Sequence, residues 1–375
     1  MKLTWVNHAS YIIEHNGVKL ITDPWIDGTT FDNGWALLSK SVFTYEDFKD
    51  IQYIWFSHEH PDHFNPPNIN KIPVEYRSKI TVLFQNTTDR KVAAYCKKAG
   101  FLKVIEMEAD TYYPLGTNFE CMCNAFAGGD SWLYIKTDKY QVLNLNDCEI
   151  KTAEHCQDIQ QKIGKVDVLL TQFGYANKVG NIADQKLRLE QSMIKLQRVD
   201  LQQKVFNPST IIPFASYIYF CHTENNYMND GINRIDKVYD YISTQIKKNC
   251  VILYPGEDWD LVSEHDNQAS IQKYLVDYEN LASGKIEYVQ PKSPISIEDL
   301  TNEGRNFTTK IMESMKVNMI FKLLPTMKIW LTDHQKSYVF NFKAGLKNVT
   351  IDKDSCDIQL SSEALFFAFK NLYGG

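Results

Sequence analysis

The sequence predicts an α/β (α+β) protein, a sandwich of β-sheets flanked by helices with a small α/β module at the C-terminal end. Three observations predict it. Strand-like runs come first and helix-patterned stretches are interleaved after them. No glycine-rich dinucleotide turn is present, which argues against a Rossmann-type sheet. A Pro/Ser stretch at Pro291–Pro294 divides the 375 residues into a long segment, 1–290, and a short one, 291–375.

The runs Tyr11–His15 and Val18–Thr22 flank Asn16-Gly17, the strongest short signal of a β-hairpin. The next strand, Ile51–Phe56, leads straight into a histidine-rich loop. A helix, a strand at Ile80–Phe84 and a second helix at Asp89–Ala99 follow, the last with a lysine-rich end and Gly100 as its stop. Strand character returns at Phe119–Ala125, Trp132–Thr137 and Gln141–Leu145, and the last of these precedes Asn146-Asp147-Cys148. Val166–Leu170 reads as a buried strand, Ala183–Phe206 as a long helix and Thr210–Pro213 as a further strand. In the short segment, Met319–Leu324 and Lys328–Phe342 alternate like strands. Ser361-Ser362-Glu363 opens an apolar helix over Ala364–Leu372.

With 44% hydrophobic and 23% charged residues the chain can bury a sizeable core and is not a disordered polymer. A net charge of −6, with Lys and Arg dispersed, leaves no basic footprint for nucleic acid. Met1-Lys2-Leu3-Thr4-Trp5 lacks the apolar core of a signal peptide and no apolar run is long enough to span a bilayer, so the chain reads as cytoplasmic. The eight cysteines form no CxxC pair and read as reduced, mostly buried thiols. Tyr373-Gly374-Gly375 reads as either a natural short tail or a truncation.

The chemistry concentrates in Ser57-His58-Glu59-His60-Pro61-Asp62-His63, where three histidines and an aspartate crowd one loop. His58 and His60 lie two apart, so an extended backbone puts both imidazoles on one side, while Asp62 and His63 turn toward a second position. Imidazole with carboxylate suits zinc, iron or manganese, one or two ions per chain, and metal-bound hydroxide is the expected nucleophile. Asp62 is the expected group to orient or deprotonate the water. Glu59 points away from its neighbours.

His58-x-His60-x-Asp62-His63 after a hydrophobic strand resembles the signature of metallo-β-lactamase-fold proteins, which implies an αββα sandwich with metals at the sheet edge. Asn7-His8-Ala9-Ser10 and Thr22-Asp23-Pro24-Trp25 look like the branch containing L-ascorbate-6-phosphate lactonase and N-acylphosphatidylethanolamine phospholipase D. Two further blocks are similar to the non-Rieske part of CMP-N-acetylneuraminate hydroxylase: Asp23–Gly28 with Phe31 and Gly34-Trp35-x-Leu37-Leu38, and Pro213-Phe214-Ala215-x-Tyr217 followed by His222 and Tyr227. The resemblance covers roughly residues 3–260. It implies Asp147 as the carboxylate bridging two metals and His8 as a substrate or metal-pocket contact. Two family histidines have no counterpart. Phe126 stands at one, with Asp130 the candidate substitute, and Phe214 at the other, with His222 the next candidate. Such a ligand set holds one metal or two, is richer in oxygen, and leans toward iron or manganese over zinc.

The substrate side is expected from Trp35, Tyr175, Asn177 and Tyr217, a mixture of rings and amides suited to a sugar or base. The resemblance implies a small phosphorylated or sugar-containing substrate, such as a nucleotide-sugar. The sequence holds no Cys-x-His and Cys-x-x-His pair, hence no Rieske centre. The leading expectation is therefore a metal-dependent hydrolase. The alternatives are an iron-dependent oxygenase served by an external ferredoxin-type reductase, and a non-catalytic binding protein with a degraded site. The segment after 290 resembles a sterol-carrier-like module, whose apolar helix covers a lipid cavity or packs on its sheet or on another subunit of a homo-oligomer.

Overall fold

The computed structural model describes residues 1–175, 177–314 and 325–371, so Met319–Leu324, Ala176 and the C-terminal Tyr373–Gly375 lie outside the described residues. Two compact units emerge. The first comprises Met1–Thr30, Ala36–Phe220 and Met228–Glu287, and the second comprises Phe31–Trp35, Cys221–Tyr227 and Tyr288–Gly375.

The first unit is built on two seven-stranded sheets. One orders Asp258–Trp259, Lys2–Asn7, Ser10–His15, Val18–Thr22, Tyr53–Phe56, Thr81–Gln85 and Lys103–Met107. The other orders Asn249–Cys250, Thr210–Phe214, Val168–Gln172, Gln141–Asn144, Ser131–Thr137, Phe119–Ala125 and Tyr113–Gly116. The hairpin at Asn16-Gly17 forms because both residues adopt positive φ, 50° and 79°, the pair of left-handed conformations that a two-residue turn matched to strand twist requires.

Side-chain alternation then assigns each face. Leu3, Trp5, Tyr11, Ile13, Leu20, Trp55 and Leu83 of the first sheet meet Cys121, Cys123, Leu133, Ile135, Val142, Val168 and Leu170 of the second in the largest core. The outward residues Ile12, Ile21, Ile54, Phe56 and Val82 pack with Ile69, Val92 and Cys96, the last two from the helix Lys91–Lys98. On the other side Met122, Tyr134, Leu143 and Leu169 pack with Cys156, Ile159 and Ile163 of the helix Ala153–Ile163. The layers are thus helix, sheet, sheet, helix, as the sequence predicts. All eight cysteines are free thiols, and seven of them are buried.

In the first sheet Val18–Thr22 runs parallel to Tyr53–Phe56, and in the second Gln141–Asn144 runs parallel to Val168–Gln172 and Val168–Gln172 to Thr210–Phe214. Parallel neighbours end at the same edge, so the loops after Thr22 and Phe56 share an edge of the first sheet and those after Asn144 and Gln172 an edge of the second, and Asn146 Nδ2, donating to Asp23 Oδ2 at 2.5 Å, brings the two edges together.

The second unit holds a four-stranded sheet ordered Gly345–Val349, Lys336–Asn341, Met327–Leu331 and Ile358–Leu360. Ser361 caps the helix Ser362–Lys370 by accepting from the Ala364 N–H at 3.2 Å. This helix buries Leu365 and Phe369 with Leu300, Ile329, Tyr338 and Phe340. Among the described residues no helix is long and apolar enough to cross a membrane.

Candidate metal centre

Ser57 opens the histidine loop and is tied to three elements. Its carbonyl accepts from Ser131 Oγ at 2.6 Å and from Gln85 Nε2 at 3.1 Å. Its N–H donates to Asp23 Oδ1 at 2.8 Å and its hydroxyl to Asp23 Oδ2 at 2.7 Å. Because that hydroxyl has one proton and gives it to a carboxylate, its oxygen is left to accept from His58 Nδ1, 2.8 Å away. His63 Nδ1 likewise reaches Asp23 Oδ2 at 3.0 Å. Both rings therefore carry a proton on Nδ1 and turn Nε2 to the same space, an orientation of the kind that metal-binding histidines take.

Three groups of donor atoms result, each with all its ligand atoms within 4.8 Å of one another: His58, His60 and Asp130; His58, His63 and Asp147; His8, Asp62 and His63. His58 Nε2 lies 2.8 Å from His60 Nδ1 and 3.7 Å from Asp130 Oδ1. His63 Nε2 lies 3.2 Å from Asp62 Oδ2 and 3.3 Å from Asp147 Oδ2. His8 Nε2 lies 3.3 Å from Asp62 Oδ2. The structure thus brings together His8, His58, His60, Asp62, His63 and Asp147, with Asp130 as a seventh member. Asp130 is turned toward His58 by a loop in which Gly128 and Gly129 both take positive φ, 86° and 93°.

These residues fit a divalent cation. The buried atoms His8 Nδ1, Asp62 Oδ1 and His63 Nε2 have no hydrogen-bond partner. Among the described residues no lysine or arginine forms an ion pair with Asp23, Asp62, Asp130 or Asp147, whose ion-pair partners are histidines. Several carboxylates crowded together at low exposure are costly, and a cation offsets that cost.

The electrostatics follow from this crowding. Burial and the neighbouring His63 push the His58 imidazole well below its ordinary range. Burial also opposes charge on Asp62 and His63, but their mutual attraction wins, holding the Asp62 carboxyl well below its ordinary range and His63 well above. Burial and the Asp147 carboxylate push Asp130 up to about 6. His8, Asp23 and Asn146 all adopt positive φ, 33°, 36° and 46°. Strain of about 1–3 kcal/mol at each such residue is held in place by the surrounding bonds.

His222 falls in the second unit, where its Nδ1 accepts from the Glu224 N–H at 3.2 Å, and it belongs to none of the three donor groups. Trp35 also falls in the second unit, against the Phe31 ring with 4.4 Å between centroids. Tyr217 lies in the core: it is 1% exposed, its hydroxyl donates to Pro213 O, and its ring packs on Trp5, Phe173 and Tyr274. Tyr175 is likewise buried, donating to Met228 O and stacking on Phe220. Asn177 is exposed. Phe126 packs edge-on against His155, and Phe214 is fully buried against Trp5 and Tyr11.

Sequence reasoning did not assign the orienting roles of Asp23, Ser57 and Asn146. The signal was available in part, since Asp23 and Ser57 each follow a strand and those two strands are parallel neighbours, which sets the residues side by side.

A family model described as the beta-lactamase superfamily domain matches residues 2–213. The chain belongs to the beta-lactamase superfamily. Among curated relatives, the cytidine monophosphate-N-acetylneuraminic acid hydroxylase of Cricetulus griseus is 21% identical over 285 residues, 70% of this chain and 48% of that protein. Its counterpart in Danio rerio is 22% identical over 302 residues, 72% of this chain and 47% of that protein. This superfamily member therefore spans about half the length of those relatives. Among solved structures, a protein of Veillonella parvula described as a possible metal-dependent hydrolase superposes with a TM-score of 0.54 at 14% identity, over 69% of this chain and 98% of that one. A mutant of the CmlA beta-hydroxylase superposes with a TM-score of 0.50 at 16% identity, over 69% of this chain and 53% of that one. At such identities the likeness is one of fold: the metallo-β-lactamase sandwich. The superfamily is one of divalent-metal proteins, typically enzymes, and the three donor groups lie at the sheet edge of this member.

Proposed function

We propose that this chain is a metal-dependent hydrolase acting on a phosphorylated sugar, a nucleotide-sugar or a related ester or amide. The observation that carries the reading is the overlap of the three donor groups, in which His58 and His63 are each shared between two. Overlapping groups suit two neighbouring divalent ions, one held by His58, His60 and Asp130 and the other by Asp62, His63 and Asp147. When bound, such ions supply Lewis acidity and bring the pKa of water toward neutrality. In this reading Asp62 Oδ1, buried and without a hydrogen-bond partner, would take a proton from the attacking water, while His8 Nε2 holds the other oxygen of the same carboxylate. Asp23 keeps His63 in the Nδ1–H tautomer throughout. The nucleotide-sugar class is supported by the names of the cytidine monophosphate-sugar hydroxylases that this chain resembles.

A second reading, an iron-dependent oxygenase using an external electron donor, is favoured by one feature. The Asp130 carboxylate sits beside His58 and His60, and oxygen-rich sites lean toward iron or manganese.

The test is elemental analysis of the purified protein and of the His58→Ala/His60→Ala double variant, with hydrolysis of phosphodiester, lactone and nucleotide-sugar probes by wild type, His60→Ala and Asp62→Asn. One to two metal ions per chain, lost with the histidines, and hydrolysis lost in both single variants support the hydrolase. Turnover unchanged in the single variants sinks it. Bound iron with oxygen consumption under reduction moves the assignment to the oxygenase. No stoichiometric metal even after reconstitution leaves a binding role.

A further inference from the structure

Behind Asp147 the structure holds a chain of polar contacts that the donor groups do not include. Gln172 ends the strand Val168–Gln172, and its Nε2 donates to Asp147 Oδ1 at 3.1 Å. Its other end, Oε1, accepts from the ammonium of Lys195 at 2.5 Å. Lys195 comes from the helix Gln185–Phe206, and its ammonium is fixed in turn by Glu149 Oε1 at 3.2 Å. Arg198, one turn further along that helix, donates to the same Glu149 oxygen at 2.6 Å. Glu149 and Asp147 belong to one loop, so the loop is clamped to the helix on one side and to Gln172 on the other.

The chemistry of an amide makes this chain directional. A primary amide has a donor end and an acceptor end, and an ammonium can only donate. Lys195 therefore fixes which end of Gln172 faces it, and the NH₂ group must face Asp147. Were the amide turned over, its oxygen would meet the carboxylate and its NH₂ the ammonium, two repulsive contacts in place of two attractive ones. With Oδ1 of Asp147 engaged, Oδ2 is the oxygen turned to His63 Nε2.

We propose that Gln172 is a positioning residue of the metal centre: its amide, oriented by the Lys195 ammonium, holds Asp147 so that Oδ2 is presented to the ion shared with His63. The inference rests on the two-ion reading above and deepens it. Partners of this kind change metal affinity by about 10- to 100-fold when lost.

The experiment titrates metal-free protein with Co²⁺ and with Zn²⁺ alone, in competition with a chromophoric chelator, and records the visible spectrum of the Co²⁺ form. Gln172→Glu is nearly isosteric and keeps an acceptor for Lys195, but it removes the donor to Asp147. It is expected to weaken one of the two ions by about ten-fold or more and to change its Co²⁺ spectrum, with the other ion unaffected. Lys195→Met leaves the amide free to turn over and is expected to weaken the same ion by a smaller factor. Both ions within two-fold of wild type in Gln172→Glu, with an unaltered spectrum, overturn the proposal. If Gln172→Glu does not fold, Lys195→Met decides by the same criterion. A wild type that takes up neither metal rejects the two-ion reading and this inference together, whereas a metal-loaded wild type with unaffected variants rejects the inference alone.

Discussion

Asp23 and His63 meet with 3.0 Å between Asp23 Oδ2 and His63 Nδ1, and neither side chain has any exposed surface. The same carboxylate accepts from Ser57 and from Asn146 Nδ2, the latter at 2.5 Å. One buried aspartate thus ties the histidine loop to the loop that carries Asp147. Asp23→Asn keeps the size of the side chain but places an NH₂ group where acceptors are needed. Metal affinity is expected to fall by about 10- to 100-fold. Loss of one partner of a buried charged network is expected to destabilise the protein by about 3–5 kcal/mol. Chelator competition and urea unfolding measure the two effects, and an affinity within two-fold of wild type would show that the tautomer of His63 does not depend on Asp23.

Asp130 is the member of the cluster that departs from a histidine set, and its identity should set the metal. Asp130→His exchanges an oxygen donor for a nitrogen one beside His58 and His60, and the ratio of zinc to iron taken up from an equimolar mixture is expected to rise. Asp130→Ala should lose one ion per chain under the same conditions. An unchanged ratio in the first variant and full occupancy in the second would place Asp130 outside the ligand set.

Phe214 stands where a family histidine was expected, and burial explains why it serves another end. Its ring fills the space between Trp5 and Tyr11, with centroids 5.8 Å and 5.4 Å away. Phe214→Ala is expected to cost about 3–5 kcal/mol of stability, measured by denaturant unfolding, while metal content stays at the wild-type level. Loss of metal from a folded variant would refute that division of roles.

The fold was legible because its signals are local. Asn16-Gly17 fixes a hairpin, Gly100 stops a helix at φ 83°, and alternation in Phe119–Ala125 and Ser131–Thr137 marks paired strands. The cluster His58–His63 was legible for the same reason, since its ligands lie within one loop. Asp130 and Asp147 needed the sheet order to be brought to the same edge, and Gln172 and Lys195 needed the packing of a helix on that edge. The aromatic residues were less legible because stacking on a ligand and stacking in a core use the same side chains. Tyr217 carries nothing in its own sequence context that separates the two, and only its neighbours Trp5 and Tyr274 decide.

Acid should loosen one part of the first unit in a defined window. Glu106 accepts from Arg90 at 2.6 Å and 2.5 Å and from Lys97 at 2.8 Å, and these cations hold its carboxyl down to about 2 from an ordinary 4.5. A carboxyl depressed in the folded state binds its proton more readily in the unfolded chain, so it stabilises the fold above its unfolded pKa. That contribution is complete above about pH 4.5 and is lost as the pH falls through about 2. Because Arg90 and Lys97 are well exposed, solvent screening limits the effect to below about 1 kcal/mol. Glu106→Gln should therefore unfold slightly earlier than wild type in urea at pH 6, and the two midpoints should converge as the pH approaches 2. A difference that persists at pH 2, or one that grows on acidification, would assign the stabilisation to packing of the side chain rather than to its charge.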